Sequence, residues 1–347
     1  METKRYEEEQ ITEAAGMLKS GGLVAFPTET VYGLGANALL PNAVAQVFEV
    51  KGRPQDNPLI VHVADFQQVN QFVENFHPLT EKIVENFWPG PLTLIFPVKE
   101  GALPQVVTGG LSTAAFRMPD SPMTLALIRE AGVPLVGPSA NTSGKPSPTT
   151  AEHVLHDMKG KISGVLDGGA TEIGVESTVL DLSTPDGIPT ILRPGAITQE
   201  ALEAVLETPI AVDAHLVKES ETPRAPGMKY KHYAPDTPVW MVRSEDWPSV
   251  LDWIKASGKR VGIIAGPTIS EQMRYEAAAV FMLPQDTVAQ AAKGLFAGLR
   301  ALDEPQLGLD AIFAETFPEI GLGVAYMNRL SKSAAKRWFE AGMKESK

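Results

Sequence analysis

The chain has 347 residues, of which 44% are hydrophobic and 21% are charged, and its formal net charge is -12. It contains no run of about eighteen apolar residues, so no membrane span is expected, and the start lacks the apolar core of a secretory signal. Cysteine is absent, which excludes disulfides, thiol nucleophiles and cysteine-based zinc sites, and we expect a cytoplasmic protein.

The negative charge is concentrated in the first 207 residues, which hold 13 Lys and Arg against 25 Asp and Glu. Nucleic-acid binding needs clustered cations, so no direct stable binding of nucleic acid is expected. The cations that lie in or beside segments rich in Gly, Pro and Ser are Lys51, Arg53, Arg117, Lys145 and Arg193. These cations could bind a small anionic ligand, although each of them, taken alone, could equally be a solvated surface charge.

The first part of the chain reads as mixed α/β structure. Helical spacing and helix stops predict helices over 7–19, 42–50 and 121–132, and another at the start of 79–98. Strands are predicted at 22–26, 58–63, the end of 79–98, 112–119 and 133–137, and within 164–169, 177–183 and 190–195. The Thr- and Gly-rich segment 27–41 reads as a loop, and a second polar loop over 138–148 leads into a helix capped by Thr149 or Thr150.

The segment 221–238 holds four prolines and several cations, and it reads as a semi-rigid linker. Beyond it, strands at 238–243, 260–266, 278–284 and 310–316 alternate with helices at 247–258, 287–304 and 323–338. This alternation predicts a small parallel α/β sheet.

Several familiar motifs are absent or poorly placed. The sequence GLGANA at 33–38 fits G-x-G-x-x-A, but it does not directly follow the strand, and Pro41 interrupts the expected helix. A P-loop, H-E-x-x-H and G-x-S-x-G are all missing, and the six histidines are scattered, so no protein-built metal site is expected.

Three polar loops instead lie next to apolar strands. They contain Thr28, Glu29 and Thr30; Ser139, Asn141, Thr142 and Ser143; and Glu176, Ser177 and Thr178. Ligands in α/β proteins bind at strand ends, where hydroxyls, amides and backbone N–H groups hold polar groups. Ordinary turn chemistry explains each loop alone, whereas three loops together with the nearby cations favour a binding site.

The segment FEVKGRPQDNPLIVHV, 48–63, supplies a candidate anion site. Lys51 is a point charge suited to phosphate, Arg53 offers a planar fork, and Asn57 can donate to an oxygen. His62 shares a strand face with Ile60, so it is either a buried core histidine or part of the site. Taken together, these residues predict a binding site for a nucleotide triphosphate.

These residues resemble the signature of the YrdC/Sua5 family, the L-threonylcarbamoyladenylate synthases. The resemblance continues through FPTETVYGLGANA, FWPGPLTLIF, FRMPDSP, GPSANTSGKPSPT and ESTVLDL…ILRPG, and APGMKYKHYAPDTP is similar to the longer Sua5 branch. It implies an open, twisted mixed sheet with a concave cavity, followed by a smaller parallel, Rossmann-like α/β domain. The implied domains are a catalytic domain over 1–208, a linker or lid over 209–237 and a C-terminal domain over 238–347.

The resemblance also implies a reaction, in which L-threonine, bicarbonate and ATP give threonylcarbamoyl-AMP, pyrophosphate and water. The product would feed the t6A modification of tRNA, through a downstream tRNA-modifying complex. Mg²⁺ would accompany ATP. The residues implied to contact threonine are Thr30, His62, Arg117, Ser139 and Ser177. Those implied to contact the nucleotide are Arg53, Asn57, Thr113, Asn141, Thr149, Arg193 and Tyr233, and Lys51 and Arg53 are implied to be catalytic. Thr178 is an alternative to Ser177, and His232 is an alternative to Tyr233.

Two other classes stay open at this point, an RNA-binding module and a regulator that binds ATP without turnover. A further hypothesis concerns the linker, which is too apolar and aromatic for a purely flexible tether. It would fold over the first domain as a lid, with Tyr233 on the nucleotide. A passive spacer is the alternative.

Overall fold

The computed structural model describes residues 2–213, 223–225 and 232–340. The chain divides into two compact units, one comprising Met1–Ser143 with Ser147–Tyr230 and the other Gly144–Pro146 with Lys231–Lys347. The boundaries expected at 208/209 and 237/238 stay predictions, and much of the predicted linker lies outside the described residues.

The first unit contains eleven strands among its described residues. They are β1 Lys4–Tyr6, β2 Val24–Phe26, β3 Gly33–Asn37, β4 Ile60–His62, β5 Leu92–Pro97, β6 Thr113–Arg117, β7 Leu135–Val136, β8 Gly164–Leu166, β9 Thr178–Asp181, β10 Thr190–Arg193 and β11 Ala211–Val212. Its helices are α1 Ile11–Lys19, α2 Pro41–Lys51, α3 Thr80–Phe87, α4 Gln105–Thr108, α5 Pro122–Ala131, α6 Ala151–Met158 and α7 Gln199–Leu206.

These strands form one open mixed sheet, in the order β1-β8-β2-β3-β7-β4-β6-β5-β9-β10-β11. Antiparallel pairs such as β3 with β7 and β5 with β6 adjoin parallel pairs such as β4 with β6 and β5 with β9. The mixed sheet expected for the first part of the chain is therefore confirmed.

The second unit contains a parallel sheet, also as expected. Its strands are β12 Val239–Val242, β13 Val261–Ala265, β14 Ala279–Met282 and β15 Ala311–Glu315, in the order β12-β15-β13-β14. Its helices are α8 Trp247–Ser257, α9 Pro267–Met273, α10 Val288–Leu302 and α11 Leu322–Ser333. In the described part of the chain, no helix is both long enough and apolar enough to cross a membrane.

The prediction of a loop over 27–41 is wrong for Gly33–Asn37, which is strand β3 inside the large sheet. Glycine normally disfavours a strand because it has no side chain to pack. Here the ring of Phe26, on the paired strand β2, occupies the space, and a Cβ on Gly33 would lie 2.9 Å from that ring. The aromatic side chain thus stabilises a glycine-rich strand from its neighbour.

The main core lies on one face of the large sheet. Strand residues such as Val61, Leu94 and Phe116 pack there with side chains from α2, α3 and α7. Because side chains alternate along a strand, the residues between them point to the opposite face. Part of that face is covered by α1 and α5, and another part carries the small apolar cluster Ile60, Ile95, Ala115, Val179, Leu192 and Ala225. His62, Thr113 and Arg117, which are described below, share this second face.

The close packing of β2 and β3 predicts that Gly35→Ala destabilises the protein. A Cβ at Gly35 would lie 2.5 Å from the Val24 carbonyl oxygen, which is backbone and cannot rotate away. Overpacking of this kind costs about 1–3 kcal/mol, so the urea midpoint should fall.

The matched control is Gly16→Ala on the exposed side of α1, where no atom would lie within 4 Å of an added Cβ. Alanine should raise helix stability there by about 0.5–1 kcal/mol. Equal midpoints for the two variants would contradict the packing described for β3.

Candidate functional site

The register of β4 and β6 brings His62 and Arg117 side by side. The two strands are parallel, and Ile60 pairs with Ala115 while His62 pairs with Arg117. Alternation places Thr113, Ala115 and Arg117 on one face of β6, which is the face that carries the small apolar cluster. Two residues implied for threonine and one implied for the nucleotide therefore share this face.

Arg117 is a buried cation with defined partners. Only 4% of the residue is exposed. Its Nη1 donates to the Thr30 hydroxyl at 2.9 Å and its Nε to the Gly90 carbonyl at 3.3 Å. Its Nη2 lies 2.6 Å from Oε2 of Glu29, whose side chain is also buried. A buried guanidinium needs such compensation, because removing a charge from water is costly.

The loop that carries Glu29 and Thr30 is held by Thr28. The Thr28 hydroxyl donates to the Val31 carbonyl at 2.6 Å and accepts from the Thr30 and Val31 amides at 3.2 Å. The adjoining polar loop is joined to it, because the amide of Ile173 donates to the Glu29 carbonyl at 2.8 Å and that of Gly174 to the Thr30 carbonyl at 3.1 Å. Two of the three predicted polar loops therefore lie together.

His62 is buried beside Arg117, and burial together with the Arg117 charge lowers its pKa to about 3. The ring meets Phe26 edge to face, with centroids 5.3 Å apart. It also lies against Gly137, where an added Cβ would come within 2.7 Å of the imidazole. The imidazole is therefore neutral at physiological pH, and it can take part in hydrogen bonding but adds no positive charge.

Ser177 and Arg193 form a second polar group. Arg193 donates from Nε to the Ser177 carbonyl and from Nη2 to the Ser177 hydroxyl, both at 3.0 Å. The Ser177 hydroxyl also lies 2.8 Å from that of Thr93, on β5. The Thr178 hydroxyl instead donates to the Ile197 carbonyl at 2.6 Å. Both hydroxyls are thus engaged within the protein, and the choice between Ser177 and Thr178 as a threonine contact stays a prediction.

Lys51 is buried at the end of α2, and its ammonium contacts backbone carbonyls. Nζ donates to the carbonyl of Ser139 and, at 2.6 Å, to that of Asn141. The Asn141 side chain donates to the Thr142 carbonyl at 2.8 Å. Lys51 therefore shapes the polar loop after β7, a role that the sequence did not indicate.

Three other residues predicted for the nucleotide, Arg53, Asn57 and Thr149, lie in the first unit. Arg53 donates from Nη2 to the carbonyls of Asn57 and Pro58, at 3.3 and 3.1 Å. The Asn57 side chain is buried, and within the described ranges its amide oxygen has no hydrogen-bond partner. The Thr149 hydroxyl lies 3.3 Å from Nδ1 of His153.

Tyr233 and Lys145 belong to the second unit. Tyr233 is buried with its ring 5.2 Å from that of Phe296, and its φ of 63° is left-handed. Lys145 pairs with Asp236 at 2.6 Å. The nucleotide contact expected of Tyr233 stays a prediction, and residues 226–231 of the proposed lid lie outside the described part.

Sequence reasoning missed Glu29 as the partner of Arg117, and Thr93 as the partner of the Ser177 hydroxyl. The signal for Glu29 was its position in a Thr-rich loop directly after a buried strand, where an acid needs a cation close by. Among the described residues, no three His, Asp or Glu side chains come together in a group that could hold a metal ion.

The fold and these contacts define a two-unit α/β protein with buried cations and hydroxyls on one sheet face, as suits an enzyme of small anionic substrates. The family model of the Sua5/YciO/YrdC proteins, described as "Telomere recombination", matches residues 16–195. The model described as "Threonylcarbamoyl-AMP synthase, C-terminal domain" matches residues 197–335. The chain belongs to the Sua5/YrdC family, in its two-domain form.

Relatives match over nearly the whole chain. The threonylcarbamoyl-AMP synthase of Bacillus subtilis is 49% identical, with 94% of each chain covered. That of Pyrococcus abyssi is 47% identical, with 96% of each covered. The crystal structure of P. abyssi Sua5 complexed with L-threonine is similar with a TM-score of 0.88 and 45% identity, covering 97% of this chain and 99% of that one.

The environment of His62 predicts that it does not titrate between pH 8 and 5, because its pKa is about 3 in the folded protein. The unfolded chain would protonate it below about pH 6.5, so its burial should destabilise the fold by about 2 kcal/mol at pH 5. That penalty grows as the pH falls towards the folded pKa.

The measurement is an NMR titration of protein carrying ¹³C-labelled histidine, with the His62 signal assigned as the one lost in His62→Gln. His156, whose side chain is exposed, is assigned in the same way with His156→Gln and serves as the reference. A His62 signal that shifts with a midpoint near 6.5 would show that the imidazole is solvated, against the burial described here.

Proposed function

We infer that this protein is a threonylcarbamoyl-AMP synthase, an enzyme that joins L-threonine, bicarbonate and ATP to give threonylcarbamoyl-AMP, pyrophosphate and water. The inference rests chiefly on the near full-length identity of 47–49% to curated synthases. The buried Arg117, beside Thr30 and His62 on one sheet face, supports it as a place for an amino-acid carboxylate. A guanidinium binds a carboxylate through two parallel N–H groups.

The proposed chemistry needs no protein nucleophile. The threonine nitrogen takes up carbon dioxide from bicarbonate and becomes a carbamate, with loss of a proton. A carbamate oxygen then attacks the α-phosphorus of ATP, and the bond to the pyrophosphate oxygen breaks. The protein would contribute positioning and charge stabilisation, which account for most of the catalysis in phosphoryl-group chemistry.

We assign threonine to Thr30, His62, Arg117, Ser139 and Ser177, on the sheet face and in its polar loops. We assign ATP to Arg53, Asn57, Thr113, Asn141, Thr149, Arg193 and Tyr233. Neutral His62 fits such a site, because it can hydrogen-bond to threonine without attracting a second anion. The unpartnered oxygen of Asn57 fits a ligand donor such as a sugar hydroxyl. For Lys51, the contacts with Ser139 and Asn141 support a positioning role for the loop, beside the catalytic role implied by the family.

Mg²⁺, bicarbonate and the downstream steps belong to the proposal as well. Mg²⁺ bound to the phosphates would neutralise charge that develops on the leaving pyrophosphate. It prefers phosphate oxygens and water over cages built by protein, which agrees with its arrival together with ATP. The product, an activated mixed anhydride, would pass to a tRNA-modifying complex in the cytoplasm.

The first prediction from this proposal concerns the substrates. Pyrophosphate release should require L-threonine, bicarbonate and Mg²⁺ together, because the attacking oxygen exists only after the carbamate has formed. An enzyme-coupled pyrophosphate assay with each component withheld in turn measures this. Steady release without both threonine and bicarbonate would exclude the synthase, and nucleotide binding with no release under any condition would favour an ATP-binding regulator.

The second prediction separates the two sets of ligand contacts. Arg117→Ala should weaken threonine binding and leave ATP binding unchanged, and Arg53→Ala should do the reverse. Hydrogen bonds to charged groups contribute about 1.5–3 kcal/mol, so each loss should be about ten- to a hundredfold. Arg53→Lys should also bind ATP poorly, because a point charge does not replace a planar fork.

Titration calorimetry with each ligand separately tests this assignment. Arg274→Ala is the control, since this arginine is exposed on the second unit, and it should bind both ligands normally. Normal binding of both ligands by both site variants would show that Arg53 and Arg117 are scaffold charges.

A further inference from the structure

Glu29 is a buried carboxylate that contacts Arg117, and the proposed reaction leaves it without a role. The residue is 8% exposed, and its Oε2 lies 2.6 Å from Nη2 of Arg117. Within the described ranges, neither of its carboxylate oxygens accepts a hydrogen bond. The contact is therefore an ion pair, and the hydrogen-bonding capacity of the carboxylate stays unused.

This arrangement is unusual for a buried acid. Carboxylates in protein interiors are normally both ion-paired and hydrogen-bonded, because each unsatisfied oxygen costs free energy. The loop does not leave Glu29 free to relax, since Thr28 fixes the turn and the Glu29 carbonyl accepts from the Ile173 amide. Within the described residues, the fold thus places the Glu29 carboxylate, which accepts no hydrogen bond, next to the Arg117 guanidinium.

Two adjacent opposite charges match one class of molecule, the α-amino acid zwitterion. In an amino acid, the carboxylate and the ammonium group are attached to the same carbon, so the two charges lie side by side. Placed against Arg117 and Glu29, the carboxylate would face the guanidinium and the ammonium group would face the carboxylate. Four charges of alternating sign would then form a closed ring in a buried site, where electrostatic interactions are strong.

We propose that Glu29 binds the α-ammonium group of the substrate, so that Glu29 and Arg117 together recognise an unmodified α-amino acid and orient its nitrogen. This inference rests on the proposed function, because it takes threonine as the ligand of Arg117. It gives Glu29 a role in specificity, since molecules with a blocked or missing α-amino group would leave the carboxylate buried without a donor. The competing role is charge compensation alone, in which Glu29 merely neutralises Arg117.

The experiment compares L-threonine with its analogue in which a hydroxyl replaces the α-amino group. Both ligands offer the same carboxylate, side-chain hydroxyl and methyl group, so only the ammonium contact differs. Calorimetric and competition titrations give the affinities for wild type, Glu29→Gln and Glu29→Asp. Glu172→Gln is the matched control, because Glu172 is exposed in the loop that contacts the Glu29 carbonyl. ATP binding checks the integrity of each variant.

Glu29→Gln should weaken threonine binding by about ten- to a hundredfold, the effect of losing a charged hydrogen bond, and leave the analogue essentially unchanged. Glu29→Asp, which keeps the charge, should restore part of the preference for threonine. Equal losses for both ligands would mean that Glu29 only supports Arg117, and unchanged binding of both would mean that it has no role. Either result overturns the inference.

Wild type alone gives an independent test if Glu29→Gln fails to fold. It should prefer threonine to the analogue by about tenfold or more, and equal affinities would overturn the inference about Glu29 while leaving the proposed function intact. Failure of the wild-type protein to bind threonine at all would instead refute the proposed function itself.

Discussion

The site depends on the burial of one cation, Arg117, at the end of a central strand. A guanidinium in this position is stable only if neighbouring groups compensate its charge, and two loops contribute to that compensation. Glu29 supplies the opposite charge, and Thr30 and Gly90 supply oxygen acceptors. His62, next to it in the register, stays neutral because burial and the Arg117 charge both disfavour its protonation.

The same strands of the large sheet contribute side chains to the main core on one face and to the candidate site on the other. In β4 and β6, Val61 and Phe116 face the helices and build the main core, whereas His62 and Arg117 face the other way. Mutations of Val61 and Phe116 should therefore act through stability, whereas we expect mutations of His62 and Arg117 to act through ligand affinity. Gly137 shows how closely the two are coupled, since even a methyl group there would meet both His62 and Phe26.

The sequence predicted the elements whose side chains alternate or repeat with a clear period, such as β4 to β6 and the parallel sheet of the second unit. It failed at β3, because glycines normally indicate a turn, and only the ring of Phe26 on the next strand explains why a strand forms there. Likewise, the sequence indicated Arg117 as a site residue but not its ion pair with Glu29, because Glu29 lies far away along the chain. Contacts of this kind depend on strand order and register, which a single sequence does not encode locally. Lys51 is a further example, because its carbonyl partners lie on a distant loop.

We propose that the buried charges on this sheet face serve the joining of threonine, bicarbonate and ATP. This proposal can be tested by identifying the product. Mass spectrometry of a reaction with ¹³C-labelled bicarbonate should detect a conjugate of AMP and threonine that contains one additional labelled carbon. A conjugate that lacks the labelled carbon would mean that the threonine carboxylate attacks ATP directly, and that result would contradict the account.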